Sequence, residues 1–207
     1  MAYFPFFVEL SGKMGLIVGA GPVARRKIEK LLPFGPALRV VAPEAEADLG
    51  ALPGVTVQRR PFRPEDLEGA DFAVAAAGSA EIDGQVARLC RRAGIPVNVA
   101  DGGEEGTFLF PALIRRGMLT VGVSTGGVSP GAAAALRDRM AAALPERTEE
   151  ILLYLRSARE RARTLPGAAR HRLLAELLER CLEAERPLTE AETEQVFHKY
   201  QTEGDRT

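Results

Sequence analysis

The sequence has 207 residues, of which 46% are hydrophobic and 27% are charged, and its formal net charge is −1. This length accommodates one main α/β core with a smaller appendage. The near-zero charge gives no overall electrostatic signature of nucleic-acid binding, and no apolar run approaches the ~20 residues that span a bilayer. We therefore expect a cytoplasmic protein that binds neither nucleic acid nor membrane.

The first segment, from Met1 to Val8, is apolar. It lacks the basic residues that begin a secretory signal, and Glu9 interrupts the apolar run. We predict that this segment forms a strand of the fold.

Strands and helices alternate through the first half of the chain. An apolar segment from Met14 to Val18 leads into a glycine-rich turn, and a helical stretch follows from Arg25 to Leu32. Further strands are predicted over residues 38–42, 55–59, 72–76 and 96–99, with a helix over residues 81–93. This alternation predicts a mainly parallel α/β sheet.

The second half is mainly helical in pattern. A strand is predicted over residues 118–124. Ser129 is a suitable N-cap, and Pro130 a suitable first residue, for a helix over residues 131–144. The remainder is predicted to form three helices, the last of which begins with the capping-box pattern of Thr189 and Glu192. A small α-helical domain therefore follows the α/β domain.

The sequence offers few metal ligands. Cys90 and Cys181 are far apart and belong to no Cys-x-x-Cys pair, and the two histidines both lie near the C-terminus. We predict two buried free thiols and no metal site.

The motif Gly19-x-Gly21-x-x-Ala24 lies between a predicted strand and a predicted helix. In this context Gly19 allows a tight turn, Gly21 lets the backbone approach a pyrophosphate, and Ala24 lets helix and strand pack closely. The helix N-terminus adds N–H donors and a positive dipole. The motif predicts a dinucleotide site.

The strand predicted over residues 38–42 ends without the acidic residue that usually binds the ribose 2′-hydroxyl. Glu44 is the nearest carboxylate, and it either takes that role or is solvated on the loop. No arginine stands at the strand end to hold a 2′-phosphate, which favours NAD over NADP.

Asp101 follows the strand predicted over residues 96–99, at the sheet edge where ligands bind in parallel α/β folds. Desolvation there could raise the pKa of the carboxyl group and suit it to proton transfer. The alternative is a loop-capping aspartate, and position alone favours that alternative.

A second glycine-rich turn precedes the predicted helix over residues 131–144. Its hydroxyl and backbone N–H groups could form an anion-binding nest, or it could be an ordinary capped turn. The residues concerned are Ser124, Thr125, Gly126, Gly127 and Ser129. Basic residues that could meet a polyanionic substrate, or could simply be solvated, are Arg25, Arg26, Lys27, Arg115, Arg116, Arg137 and Arg139.

Five blocks occur in an order typical of one family: Tyr3 to Leu10, Leu16 to Lys27, Asn98 to Asp101, Thr107 to Pro111 and Val123 to Pro130. Over nearly its whole length, the chain resembles the precorrin-2 dehydrogenase/sirohydrochlorin ferrochelatase family, which includes the N-terminal half of bifunctional siroheme synthases. The resemblance implies a Rossmann-like domain over residues 1–113, a dimerisation segment over 114–145 and a helical C-terminal domain over 146–207. It also implies a homodimer.

For the activity, the resemblance implies NAD-dependent oxidation of precorrin-2 to sirohydrochlorin, with Fe²⁺ insertion as a further activity of the family. Asp101 would be the essential carboxylate, which reverses the preference from position alone. The glycine-turn residues with Pro22, Val23, Pro43 and Glu44 would bind NAD, and the turn from Ser124 to Ser129 would bind the tetrapyrrole. Because the sequence ends at residue 207, we expect a separate protein to supply precorrin-2.

Two other functions account for part of the sequence. A dimeric module that senses NAD(H) without catalysis would use the glycine turn and the helices, but it would not require Asp101. A chelatase in which NAD is only structural would be active with metal and without NAD.

Overall fold

Five short apolar segments pair into one parallel sheet in the computed structural model, which describes residues 3–100 and 105–204. The chain divides into two units, Met1–Phe110 with Gly126–Val128, and Pro111–Thr125 with Ser129–Thr207. The three-part division with a separate dimerisation segment over residues 114–145 stays a prediction. Within the described ranges, no helix is both long and apolar enough to cross a membrane.

The sheet of the first unit has the strand order β3-β2-β1-β4-β5. Its strands are β1 (Met14–Val18), β2 (Ala37–Ala42), β3 (Val55–Arg59), β4 (Phe72–Ala75) and β5 (Val97–Val99). Helix α1 (Pro22–Leu31) connects β1 to β2, and α2 (Ala80–Ala93) connects β4 to β5. The strand order reverses between β1 and β4, which is the Rossmann arrangement and confirms the predicted fold class.

Both faces of this sheet are buried because helices cover each of them. Consecutive residues of β1 pack on opposite faces of the sheet: Ile17 belongs to the core under α1, whereas Leu16 belongs to the core under α2. Helix α1 contributes Ala24, Ile28 and Leu31 at the three- and four-residue spacing of one helix face. This packing fixes the first turn of α1 against the ends of the strands.

The N-terminal segment differs from its prediction. Residues Tyr3 to Leu10 form no strand, so the predicted strand is wrong. Pro5 has no N–H to donate, and the segment pairs with no strand among the described residues. The side chains of Phe4, Phe6 and Phe7 are 76–79% exposed. An apolar composition predicted burial, but no surface among residues 3–100 and 105–204 buries these rings.

The second unit begins with an antiparallel hairpin of β6 (Ala112–Arg116) and β7 (Leu119–Val123). Strand β6 was not predicted from the sequence, whereas β7 lies within the strand predicted over residues 118–124. Four helices follow: α3 (Pro130–Ala142), α4 (Thr148–Arg161), α5 (Gly167–Glu183) and α6 (Glu190–Gly204).

The last three helices share one core. Ile151 of α4, Leu173 and Leu177 of α5, and Phe197 of α6 are buried together. The capping box is confirmed: the Glu192 carboxylate accepts from the Thr189 N–H at 2.7 Å, and the Thr189 hydroxyl accepts from the Glu192 N–H at 3.3 Å. The predicted helical region is therefore a packed bundle in its own right.

Candidate functional site

The carboxyl ends of β1, β2, β4 and β5 lie along one edge of the sheet, because these strands are parallel. Ligands of open α/β sheets bind outside this edge, at the point where the strand order reverses. Here that point lies between β1 and β4, and the glycine turn after β1 stands at it.

Gly19 makes the turn possible. Its φ of 109° is a backbone conformation that residues with a side chain rarely adopt. A Cβ built at this position would stand 2.0 Å from the carbonyl oxygen of Ala76. Its N–H donates to the carbonyl of Val41 at 2.9 Å. Gly19 is therefore fixed between the ends of β2 and β4 and serves the fold.

Gly21 has a different role, because it is the N-cap of α1 with an ordinary φ of −74°. A Cβ built on it would meet no atom within 4 Å among the described residues, and no side chain caps the helix there. Pro22 occupies the first helical position, so the N–H groups of Val23 and Ala24 are the open donors of the first turn. Open space before uncapped N–H groups fits a pyrophosphate.

At the end of β2, Pro43 and Glu44 are both exposed. Arg25 of α1 contacts the loop that follows: it forms ion pairs with Glu46 at 2.9 Å and with Asp48 at 2.8 Å. Within α1, it also pairs with Glu29 at 3.1 Å. The Arg25 hydrogen bond lowers the pKa of the Asp48 carboxyl, and these partners raise the pKa of Arg25. This cluster could not be predicted from local sequence, because its members are up to 23 residues apart.

At the end of β5, Asn98 is only 4% exposed. Its side-chain N–H donates to the carbonyl of Phe108 at 2.9 Å, and its carbonyl accepts from Lys27 Nζ at 2.7 Å. The Lys27 ammonium also lies 4.3 Å from the centre of the Phe110 ring. Asp101, the predicted catalytic residue, lies outside the described residues.

A buried carboxylate supports the loop after β4. Asp83 of α2 is 4% exposed and accepts from the N–H of Ala77 at 2.8 Å. Because Ala76 faces Gly19, this bond helps to fix the backbone against which the glycine turn rests. The acidic first turn of α2 was the only sequence signal for it.

The second glycine-rich turn is closed by its own hydroxyl groups. Thr125 Oγ1 donates to the carbonyl of Ser129 at 3.0 Å and accepts from the Ser129 N–H at 3.1 Å. Ser129 Oγ accepts from the N–H of Ala132 and caps α3. Gly126 and Gly127 have φ values of 64° and 89°, and Ser124 is exposed. Substrate binding by these five residues stays a prediction, and two of the hydroxyls already serve the turn.

The predicted basic residues separate into groups. Arg116 donates to the carbonyl of Ala141 in the last turn of α3 and to those of Leu144 and Pro145 just after it, and Arg137 pairs with Asp138. A shallow concavity in the first unit is lined by Val23, Arg26, Lys27, Lys30, Ala100 and Phe110. Arg26 and Lys27 therefore line a surface depression, whereas Arg25 is held by carboxylates.

Both thiols are buried, as predicted. Burial raises the pKa of Cys90 to about 11, and burial also raises the pKa of Cys181. Among residues 3–100 and 105–204, no three His, Cys, Asp or Glu side chains are grouped so that they could hold a metal ion.

Residues 6–112 match the family described as "Putative NAD(P)-binding". The chain belongs to this NAD(P)-binding family. Within it, Gly21 with the N–H groups of Val23 and Ala24 would hold the pyrophosphate.

This NAD(P)-binding chain is similar to several siroheme synthases. It is 39% identical to that of Methylococcus capsulatus over 177 residues, which are 83% of this chain and 37% of the relative. It is 35% identical to that of Azotobacter vinelandii over 198 residues, or 94% of this chain and 43% of the relative. The chain thus spans about two fifths of the length of these relatives.

Among solved structures, SirC, a precorrin-2 dehydrogenase, has the same fold with a TM-score of 0.75. The match covers 97% of this chain and 100% of that chain at 23% identity. The two folds therefore agree over the helical region as well as over the NAD(P)-binding region.

Proposed function

We propose that the chain oxidises precorrin-2 to sirohydrochlorin with NAD⁺, a step in siroheme biosynthesis. The observation that carries the proposal is the open Gly21 turn before an uncapped helix at the reversal of strand order. The substrate is supported by the siroheme synthases and the precorrin-2 dehydrogenase, which match 83% and 97% of this chain.

When bound, NAD⁺ supplies a nicotinamide ring that accepts a hydride. Removal of a hydride from precorrin-2 is accompanied by loss of a proton, so the reaction needs a base in the protein. We assign this role to Asp101. The residue before it in the sequence, Ala100, donates its N–H to the carbonyl of Ala75 at 2.8 Å, so the described chain reaches the ligand-binding edge at Ala100.

The proposal includes NAD rather than NADP. A 2′-phosphate at the end of β2 would meet the acidic loop that contains Glu44, Glu46 and Asp48. Arg25, the cation beside this loop, is already paired with Glu46 and Asp48. The arrangement repels a phosphate and leaves Glu44 exposed to accept from a ribose hydroxyl.

Insertion of Fe²⁺ into sirohydrochlorin is a second candidate activity, favoured by the name of the relatives, because siroheme contains iron. Iron would enter the macrocycle as two pyrrole N–H protons leave, and Asp101 could accept one of them. The test is incubation of sirohydrochlorin with Fe²⁺ in the absence of NAD⁺.

We also propose that the protein acts as a homodimer in the cytoplasm. Support for the dimer comes from α3, within the predicted dimerisation segment, where Leu136 and Met140 are 44% and 47% exposed. Apolar side chains one helical turn apart form a patch that a second copy could cover.

The deciding experiment is anaerobic incubation of the protein with precorrin-2, with and without NAD⁺. The reaction is monitored by the absorbance of sirohydrochlorin and of NADH. Asp101→Asn and Asp101→Ala are compared with wild type, and Glu81→Gln, an exposed carboxylate on α2, is the control. The proposal expects NAD⁺-dependent turnover that both Asp101 variants lose and the control retains. Bound NADH without turnover would favour the sensor, and turnover in Asp101→Ala would remove the assigned base.

A further inference from the structure

Helix α1 carries four cationic side chains, of which one forms ion pairs with carboxylates and three line a concavity. Arg25 is held by Glu29, Glu46 and Asp48. Arg26, Lys27 and Lys30 instead line the concavity described above, which we call the α1 basic pocket: Val23, Arg26, Lys27, Lys30, Ala100 and Phe110. The cations of the pocket have no part in the proposed hydride transfer.

Two of these cations are available to a ligand. Arg26 and Lys30 are exposed, and neither forms an ion pair with any residue in the described part of the chain. They lie four residues apart, so their side chains emerge on the same face of α1. Together they present two positive charges over one depression.

The remaining walls of the pocket are ordered. Lys27 is held by the buried Asn98 side chain and by the Phe110 ring, and Phe110 in turn lies beside Phe108 with ring centroids 5.7 Å apart. Val23 and Ala100 add apolar surface. A ligand that combines negative charge with an apolar or aromatic body would match these walls.

The pyrophosphate of a dinucleotide does not account for this charge. It binds at the helix N-terminus, whereas Arg26 and Lys30 lie four and eight residues beyond Pro22. At 1.5 Å per residue these are about 6 and 12 Å further along the axis. The charge therefore continues away from the nucleotide turn.

The size of the pocket limits what it can hold. Its volume is about 170 Å³, below the roughly 300–1,000 Å³ of typical small-molecule sites. It can take the acidic side chains of a larger molecule, with the rest of that molecule outside.

We propose that the α1 basic pocket binds acetate and propionate side chains of the tetrapyrrole, with Arg26 and Lys30 as the carboxylate-binding residues. The inference rests on the proposed function for the identity of the substrate. Phe110 and Val23 would contact the macrocycle edge from which these side chains extend.

The test uses the full chain and uroporphyrin III, a stable macrocycle with acetate and propionate side chains, titrated by fluorescence. The double variant Arg26→Gln/Lys30→Gln is expected to weaken porphyrin binding about 10-fold or more, and to reduce its dependence on salt. Arg26→Lys/Lys30→Arg keeps both charges and should stay within about threefold of wild type. Arg92→Gln/Arg159→Gln removes two exposed charges outside the pocket and should change nothing.

The Kd for NADH is measured on the same variants. An unchanged NADH Kd with weakened porphyrin binding supports the inference, and steady-state assays should then show a raised KM for precorrin-2. A parallel rise in the NADH Kd would overturn it, because the cations would then serve the nucleotide phosphates. Wild-type porphyrin affinity in Arg26→Gln/Lys30→Gln, or no porphyrin binding by wild type, would also overturn it.

The proposed function can fail separately. Pocket-dependent porphyrin binding without NAD⁺-dependent oxidation of precorrin-2 would leave the pocket standing and remove the dehydrogenase. Thermal unfolding of wild type and of Arg26→Gln/Lys30→Gln checks that both proteins are folded. Because the Arg26 and Lys30 side chains are exposed, the two Tm values should be equal.

Discussion

Substitution of Gly21 by alanine should weaken nucleotide binding and leave the fold intact. The φ of −74° is acceptable for alanine, and the added Cβ meets nothing within 4 Å in the described part of the chain. The new methyl group would occupy the space before the N–H groups of Val23 and Ala24. Loss of one or two hydrogen bonds to a charged phosphate, at ~1.5–3 kcal/mol each, weakens NADH binding about 10-fold to 1,000-fold or more.

Gly19→Ala is the matched comparison, because it makes the same chemical change two residues earlier. There the φ of 109° and the 2.0 Å contact with Ala76 oppose a side chain. Backbone strain of ~1–3 kcal/mol with the added clash should cost about 3 kcal/mol or more. For a chain of this length, that lowers Tm by roughly 6–12 °C.

The assay combines NADH fluorescence titration with circular dichroism melting of both variants. Gly21→Ala is expected to keep Tm within about 4 °C of wild type, because the stability change of such a substitution is about 1 kcal/mol or less. A Gly21→Ala protein that binds NADH with the wild-type Kd would refute the assignment of the pyrophosphate to this turn. A Gly19→Ala protein with the wild-type Tm would refute the steric argument.

Three further predictions concern ionic contacts and the dimer. Glu46→Gln/Asp48→Asn removes the ion pairs between Arg25 and the loop after β2, leaving only the pair with Glu29, and should tighten NADPH binding about 10-fold relative to NADH; an unchanged Kd ratio by fluorescence would contradict this. Pairing with Arg186 and with Thr189 lowers the pKa of Glu192 from 4.5 to about 2, so its stabilisation is complete above pH 4.5 and is lost as pH falls towards 2; Tm of Glu192→Gln should decline less over this range than that of wild type. Leu136→Glu should convert a dimer to a monomer in sedimentation velocity, whereas the exposed Leu153→Glu on α4 should not.

The parts of the fold that the sequence predicted are those set by local patterns. The apolar segment of β1 and the helical stretch after it are local patterns, and so are the glycine turn and the Thr189 capping box. The N-terminal segment shows the limit of such patterns. Its composition favours a strand, but a strand also needs a partner, and local sequence does not reveal one.

The site shows the same limit more strongly. The positions of Gly19 and Gly21 and their separate roles could be predicted because the turn is contiguous. The atom that excludes a Cβ at Gly19 could not be predicted, because it belongs to Ala76, 57 residues further along the chain. The contact between Lys27 and Asn98 joins residues 71 positions apart. Only the fold brings them together.

Helix α1 explains why a run of basic residues could not be interpreted from sequence. Each residue turns about 100° around the axis, so neighbouring arginines face different surroundings. Arg25 faces the acidic loop after β2, Ile28 faces the sheet, and Arg26 with Lys30 faces the pocket. If the pocket holds substrate carboxylates, the ten-residue helix α1 takes part in both binding sites. Its N-terminus faces the nucleotide, and one of its faces binds the substrate. A shift of α1 would then alter both affinities, whereas neutralisation of Arg26 and Lys30 would alter only one.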